Sequence, residues 1–326
     1  MPRSLLRMLV EADNEYVSGQ QLSRGLGVTR AAVWKKISVL RDSGFLIDAV
    51  PSRGYRLERA PALSAEYLEL CLGSTIWKRI LSFSSLDSTN ETAMSLCAGE
   101  GEPEGTVVVA DRQKKGRGRR GRTWESPAKT NLYLSMVLRP RILPREAPVL
   151  TLLAAVAAAS ALTDAGAPEV LIKWPNDLLI REKKVGGILT EIRADPESVT
   201  CAVIGIGINV NIASKSFPPE ISEAATSLMI ETGIRFDRNE LLLALLRSFD
   251  HWYRIFRSSG RYPILDEWRR RSATLGRNVV AAFDSGEIRG VAEDIDDSGM
   301  LVLRLPDNTK RLVAAGDIQH LRRAAG

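Results

Sequence analysis

Between Gly116 and Trp124 the chain reads Gly-Arg-Gly-Arg-Arg-Gly-Arg-Thr-Trp, and no other stretch narrows the possible folds as far. Its first six residues fit Gly-x-Gly-x-x-Gly letter for letter. A dinucleotide-binding fold needs those glycines in a tight strand-to-helix turn, with an acidic residue about 20 positions on. Here the apolar strand pattern has already stopped at Ala110. The sequel Arg122 to Pro127 opens no amphipathic helix, and residues 132–145 hold no carboxylate. That fold is excluded. What remains is a glycine-rich loop with seven basic side chains between Arg112 and Arg122. Glycines let the backbone approach a ligand closely, and the crowded cations repel unless a polyanion orders them through charge-assisted, partly bidentate bonds. We read it as a phosphate-gripping loop of an enzyme, mobile when empty. On charge alone, a solvated basic loop or a nucleic-acid patch would look the same.

With 326 residues the chain exceeds the usual single-domain size, so two or three domains are expected. Lys and Arg exceed Asp and Glu by 45 to 39, and the pI is near 9.3, which suits polyanionic partners without establishing one. Three cysteines (Cys71, Cys97, Cys201) are too few and too scattered for a disulfide framework or a zinc cluster. His251 and His320 are the only histidines, which argues against a histidine-based catalytic triad and excludes a His-rich metal site. The first residues lack the apolar run of a signal peptide. The longest apolar stretch, Ala147 to Leu162, falls short of the roughly 20 residues that span a bilayer. A buried helix, no membrane and a cytoplasmic location are expected.

The first sixty residues are the most readable. Leu5, Leu6, Leu9 and Val10 give a first helix an apolar stripe. Ser18 with Gln21 three positions on is a capping-box signature for a short second helix, ending near Gly25 to Gly27. Thr29 caps a third, with Val33, Ile37 and Leu40 inward and Gly44 closing it. An apolar strand and a hairpin around Pro51 to Gly54 follow. Three helices and a hairpin are the plan of a winged helix-turn-helix. Ser18, Gln20, Gln21, Thr29, Arg30, Trp34, Lys35 and the wing residue Arg53 are the candidate DNA contacts. A helical protein-interaction module with a solvated basic face is the alternative.

A linker is expected around Ala60-Pro61-Ala62. The central region mixes helices and strands, and turns as short as Arg181 to Lys184 call for antiparallel or mixed pairing. From about Leu275 short strands alternate with turns at Asp284 to Gly286, Asp297 to Gly299 and Pro306 to Asn308, the pattern of a small SH3-like β-barrel. The fold class is α+β. Three domains are expected: a DNA-binding unit at 1–60, a catalytic mixed-sheet α/β domain at 61–272, and the barrel at 273–326.

Several short segments surround the basic loop in meaning, if not in sequence. Ser88-Thr89-Asn90 places hydroxyl and amide groups at a helix start, where backbone N–H groups also gather. Ser88 with Glu91 also reads as an ordinary capping box. Lys173-Trp174-Pro175-Asn176-Asp177 ends an apolar strand, and Pro175 leaves Lys173, Asn176 and Asp177 at its rim. A lysine there neutralises phosphate, and a carboxylate can share Mg²⁺ with water and phosphate. Lys184 precedes two glycines, and Gly205 to Asn211 ends a buried strand with close-packing glycines and two amides.

Together these segments resemble the biotin–protein ligases, and with the N-terminal unit they resemble the bifunctional members that also repress the biotin operon. The resemblance covers nearly the whole chain. The loop paired with Lys-Trp-Pro-Asn-Asp is its most specific part. It implies a central domain of class II synthetase type. It also implies that biotin and MgATP form biotinyl-5′-AMP, which a lysine of the biotin carboxyl carrier protein, an acetyl-CoA carboxylase subunit, then attacks. By the same resemblance Ser88, Thr89, Asn90, Gln113, Arg117, Gly118, Arg119 and Lys184 bind biotin. Lys173, Lys184 and Arg119 carry the chemistry, with Arg119 retaining the intermediate. Trp124, Asn176 and Asn209 face the adenylate, and Asp177 is associated with Mg²⁺. Trp124 as a stacking partner for adenine and Trp124 as a buried lid anchor stand equal. Homodimerisation on biotinyl-AMP binding and recognition of operator DNA are implied as well. Trp34 and Ser38 depart from the family's helix, so the operator sequence does not follow. A ligase with a merely structural winged helix, a lipoate–protein ligase, and a non-catalytic sensor are the competing expectations.

Overall fold

The computed structural model describes residues 2–98, 104–283, 286–314 and 317–320. It divides into two compact units, Met1–Thr75 and Ile76–Gly326.

In the first unit α1 (Pro2–Glu11), α2 (Gly19–Leu26) and α3 (Arg30–Asp42) precede a hairpin of β1 (Leu46–Val50) and β2 (Gly54–Arg59), followed by α4 (Ala65–Leu72). Both predicted caps are present: Gln21 N donates to Ser18 Oγ at 3.1 Å, and Ala32 N to Thr29 Oγ1 at 3.2 Å. The three helices bury Leu5, Leu6, Leu9, Leu22, Val33, Ile37 and Leu40 in one core with Phe45 and Ile47 of the wing. The wing docks by pairing Tyr55 with Val17. That approach requires Gly54: its φ is +115°, and a Cβ there would lie 2.1 Å from Val17 O. Helix α4 is absent from the sequence reading. Ala60 is buried, and Tyr67 and Leu70 pack on the same core, so the Ala-Pro-Ala segment is a bend inside this unit, which runs on to Thr75.

The second unit is built on a seven-stranded sheet. In chain order its elements are β3 (Arg79–Phe83), α5 (Thr89–Ala98), β4 (Thr106–Ala110), β5 (Leu132–Leu138), α6 (Pro148–Asp164), β6 (Leu171–Lys173), β7 (Asp177–Ile180), β8 (Lys183–Ala194), β9 (Val199–Ile208), α7 (Leu228–Thr232), α8 (Arg238–Ser259) and α9 (Tyr262–Arg270). The strand order is β3-β4-β5-β9-β8-β7-β6, with only β3 and β4 parallel. Short turns enforce the antiparallel run of β6 to β9, since a hairpin of a few residues can only reverse the chain, whereas β3 and β4 are joined through α5 and can run the same way.

Helix α6 packs against the sheet, α8 and α9, and twelve of its side chains are buried. Continued through a 3₁₀ turn, Pro144–Asp164 is long and apolar enough to cross a bilayer, so length does not exclude it as the sequence reading held. Its place does: a helix apolar on all sides is covered on all sides, here by protein. Helix α5 lies over β4, β5 and β9. It brings Cys97 to Cys201 of β9, and the two form a disulfide within a small core of Ala93, Val108, Val137 and Val203. Sequence counting could not find a bridge between residues 104 apart.

The C-terminal strands β10 (Asn278–Phe283), β11 (Gly286–Ile295), β12 (Leu301–Arg304), β13 (Lys310–Val313) and β14 (Asp317–His320) form one antiparallel sheet, ordered β13-β12-β11-β10-β14. Strand β14 is an addition to the expected four, and the turn expected at Asp284-Ser285-Gly286 lies mostly outside the described residues. Trp174 joins this sheet to the central one, donating from its backbone N to Thr274 Oγ1 and from Nε1 to Gly299 O, both at 3.0 Å.

Candidate active site and nucleic-acid interface

A cavity of about 310 Å³ opens between the 111–128 loop, the start of α5, and strands β8 and β9, within the usual size range for a small-molecule site. It gathers Ser88, Thr89, Asn90, Gln113, Arg117, Gly118, Arg119, Trp124, Asn176, Asp177, Lys184 and Asn209. Segments up to about 120 positions apart in sequence therefore meet. Lys173 is the exception: it sits half-buried on β6, the outermost strand, and does not line the cavity, which runs along β8 and β9.

One end of the cavity is a hydrogen-bonded polar cluster. Gln113 Oε1 accepts from Thr89 N at 2.8 Å and lies 3.1 Å from Thr89 Oγ1, while its Nε2 donates to Ser126 Oγ at 3.0 Å. Asn90 donates to Leu189 O and to Glu191 Oε2 at 3.1 and 2.9 Å, and its Oδ1 accepts from Ser135 Oγ at 2.6 Å. Ser88 caps α5 from the N-terminal side, 3.5 Å from Glu91 N. Ser88, Thr89, Asn90, Ser126 and Ser135 are almost wholly buried, Gln113 and Glu191 are half-buried, and the hydrogen bonds among them hold the cluster in place. Ser135 and Glu191 were missed from sequence. Ser135 stands out only as the lone aliphatic hydroxyl of Leu132–Leu138, and Glu191 only as the one charged residue of 185–192.

The other end is cationic. Lys184 Nζ lies 2.6 Å from Asp177 Oδ1 and 5.4 Å from the centre of the Trp124 ring. The Lys184 backbone is clamped on both sides, its N donating to Ala224 O and its O accepting from Thr226 N. Residues of the 212–225 segment (Ile212, Phe217, Ile221, Ala224, Ala225) thereby become an apolar wall. That wall has no sequence signature. Trp124 fills the space left by two glycines: a Cβ on Gly207 would be 2.6 Å from its Nε1, and one on Gly187 would be 3.4 Å from Cζ3. Asn209 lines the cavity, yet its amide is bonded to Thr226 O at 3.0 Å and approached by Asn131 Nδ2 at 3.4 Å.

The basic loop has a defined shape. Trp124 N donates to Gly116 O and Gly118 N to Arg122 O, pinching it into a hairpin. Its like charges are kept apart by separate partners. Lys115 pairs with Asp87 at 2.8 Å, Arg117 with Glu191 at 3.0 Å, and Arg120 reaches Ala282 O of the C-terminal sheet at 3.2 Å. Arg119 Nη1 is 3.4 Å from Asn176 Oδ1. Hydrogen bonding to Lys115 holds the Asp87 carboxyl below its usual range and raises the Lys115 ammonium. These partners offset part of the repulsion among the loop's cations.

Among the described residues no three His, Cys, Asp or Glu side chains cluster as a metal cage. Magnesium usually keeps waters and takes one or two carboxylates plus substrate phosphates. The donor set fits that mode, with Asp177 and Glu125 the carboxylates on the cavity wall.

In the first unit Gln20, Arg30, Trp34, Lys35 and Arg53 are exposed, Trp34 by 61%. Ser18 and Gln21 bond each other in the capping box, and Thr29 caps α3, so those three shape the helices. Arg53 and Arg56 both lie over the Tyr16 ring, at 4.1 and 4.7 Å from its centre. Such stacking holds the Arg53 guanidinium in place by its face, while Arg56 also pairs with Asp48 and Glu58.

A winged helix-turn-helix joined to a mixed-sheet domain with a cation-rimmed, amide-floored cavity defines a ligase class that carries its own DNA-binding module. Residues 82–209 match the Biotin/lipoate A/B protein ligase family, residues 3–56 an HTH domain, and residues 274–321 the Biotin protein ligase C terminal domain. The chain is 40% identical to the bifunctional ligase/repressor BirA of Bacillus subtilis (strain 168), over 96% of this chain and 97% of that protein. It is 35% identical to BirA of Escherichia coli (strain K12), over 93% and 92%. Among solved structures, the biotin protein ligase from Aquifex aeolicus in complex with biotin and ATP superposes with a TM-score of 0.64, at 30% identity, over 76% of this chain and all of that one. The chain belongs to the bifunctional ligase/repressor family of biotin–protein ligases.

Proposed function

We propose that this protein is an ATP-dependent biotin–protein ligase that also represses transcription. It joins biotin to ATP as biotinyl-5′-AMP and passes the biotinyl group to a lysine of the biotin carboxyl carrier protein of acetyl-CoA carboxylase. One observation carries this reading: a single cavity holds a buried amide and hydroxyl cluster at one end and Lys184 with lid arginines at the other. A ureido ring offers both donors and acceptors and suits the first end. A carboxylate becoming an acyl phosphate suits the second.

Biotin lies with its ring toward Thr89, Asn90 and Gln113 and its carboxylate toward Lys184. A carboxylate oxygen attacks the α-phosphorus of ATP, the acyl–phosphate bond forms, and the bond to pyrophosphate breaks. Lys184 and Arg119 stabilise the charge that develops there, and Lys173 adds to the positive field from the rim of the sheet. Magnesium bound with ATP neutralises phosphate charge, and Asp177 is the carboxylate that would hold it. Trp124 and Asn176 border the adenylate, while Asn209 holds the wall behind it. Arg117 to Arg119 cover the mixed anhydride and keep water out. The carrier lysine then attacks the acyl carbon and AMP leaves with the bonding pair. No covalent enzyme intermediate is needed, so the scarcity of Cys and His is no obstacle.

On this reading Gln20, Arg30, Trp34, Lys35 and Arg53 contact operator DNA, and their exposure on α2, α3 and the wing supports it. Homodimerisation on biotinyl-AMP binding supplies the two half-site contacts of a palindromic operator. The unit that ends at Thr75 serves DNA binding, and the unit from Ile76 carries the ligase site and the C-terminal sheet, in the cytoplasm. The Cys97–Cys201 bridge is the feature least expected in a reducing compartment. The test is incubation with ATP, Mg²⁺, labelled biotin and apo-carrier. Labelled carrier is expected, and an unlabelled carrier would end the ligase reading. Retardation of DNA from upstream of biotin genes should depend on biotin plus ATP; binding indifferent to both would remove the switch.

A further inference from the structure

Glu191, half-buried on β8, has no part in the chemistry above, yet its two carboxylate oxygens serve two different elements. Oε2 accepts from Asn90 Nδ2 at 2.9 Å, and Oε1 accepts from Arg117 Nη2 at 3.0 Å. We propose that Glu191 is a positioning residue, a clasp whose one oxygen orients the pocket amide and whose other holds the lid over the cavity. This rests on the ligase reading of the site.

The orientation argument is one of donors and acceptors. Asn90 is 4% exposed. Its Nδ2 faces two acceptors, Glu191 and Leu189 O, and its Oδ1 faces the Ser135 hydroxyl. Reversing the amide would set Oδ1 against a carboxylate and a carbonyl, with no proton between them. Glu191 thus fixes which face of Asn90 a bound ring meets.

The lid argument is one of connectivity. With its own proton on Asn90, Ser135 Oγ accepts from Thr89 Oγ1 at 2.8 Å, and Thr89 N donates to Gln113 Oε1 at the base of the loop at 2.8 Å. Arg117, near the loop's tip, closes the circuit through Glu191 back to Asn90. Base and tip of the lid are therefore tied to the same buried amide. Arg117 is bound there in the placement in which Arg117, Gly118 and Arg119 all line the cavity.

The two oxygens are separable by substitution. In Glu191→Gln the amide oxygen can still accept from Asn90, whereas the charge that holds Arg117 is gone. In Glu191→Ala both are lost. Three readouts on the full chain are compared: biotin KM in carrier labelling, the release rate of biotinyl-AMP, and the rate of trypsin cleavage between Lys114 and Arg122 without ligand. Glu191→Gln should speed release and cleavage by about tenfold and raise KM by less than about threefold; a charged hydrogen bond lost in this setting has that size. Glu191→Ala should add an increase in KM of about tenfold. Glu191→Gln with wild-type cleavage and release overturns the clasp. Equal KM values for the Gln and Ala variants overturn the orienting role. Wild type that labels no carrier is the failure of the ligase reading instead, and the trypsin arm then still decides whether Glu191 holds the lid. Should Glu191→Ala not fold, Asn90→Asp supplies the second arm: two facing carboxylates should raise KM at least as far, and an unchanged KM overturns the orienting role.

Discussion

At residue scale, the cavity works through atoms whose positions leave no slack. A Cβ on Gly205 would lie 1.9 Å from Asn90 Oδ1. Gly205→Ala must push Asn90 out of its hydrogen bonds, so biotin KM in carrier labelling should rise at least about tenfold, while overpacking costs about 1–3 kcal/mol in a thermal melt. Arg119 sits in the cavity wall beside Asn176. Arg119→Ala should release biotinyl-AMP into solution about tenfold faster or more, since it loses a charged contact to phosphate; chromatography of the nucleotide products measures it, and unchanged retention would remove that role. Ser88, Thr89, Asn90, Gln113 and the lid were legible in sequence because each carries chemistry unusual for its setting. Ser135 and Glu191 were not, because an isolated hydroxyl or carboxylate in a largely apolar strand shows neither which way it points nor what it meets.

At element scale, the first unit depends on its caps and its wing. Ser18 satisfies an otherwise orphan N–H of α2 and is itself bonded by Gln21. Ser18→Ala should lower stability by about 1 kcal/mol, read as a shifted melt of that unit. At the wing, Asp48 accepts a hydrogen bond from Tyr16 OH, which holds its carboxyl below the usual range and raises the phenol. A carboxyl depressed by folding adds stability above its unfolded value, about 3.9. That contribution is lost as pH falls through the lower folded value. Tyr16→Phe should therefore flatten the acid limb of unfolding below about pH 4 and leave the neutral limb's slope alone; far-UV circular dichroism of an acid titration checks it. Elements with strong periodicity or caps matched the reading within a few residues. Helices α4 and α7 and strand β14 did not register, since short segments owe their form to docking more than to propensity.

At the scale of the whole molecule, two compact units divide at Thr75 and Ile76. The Aquifex aeolicus ligase is wholly covered by 76% of this chain, about the share that residues 76–326 make up. Residues 76–326 alone should fold cooperatively and label carrier with kcat within about threefold of the full chain, and should lose DNA retention entirely. Labelling assays and gel retardation on the same preparation decide it. An insoluble or inactive 76–326 would place part of the active fold in the first unit.

The sequence by itself determined the winged helix-turn-helix, the mixed-sheet domain and antiparallel C-terminal sheet, and the cast of the cavity: local periodicity, caps and unusual local chemistry are properties of neighbouring residues. Tertiary structure alone decided the rest. It set the cross-chain contacts of Glu191 and Trp124, the apolar wall of 212–225, the Cys97–Cys201 bridge and the exclusion of Lys173 from the cavity. Each of these depends on how distant segments pack: the β6 to β9 meander follows from short turns, but the pairing of β9 with β5 follows from which faces bury best against which. That comparison is made only when the whole chain is packed.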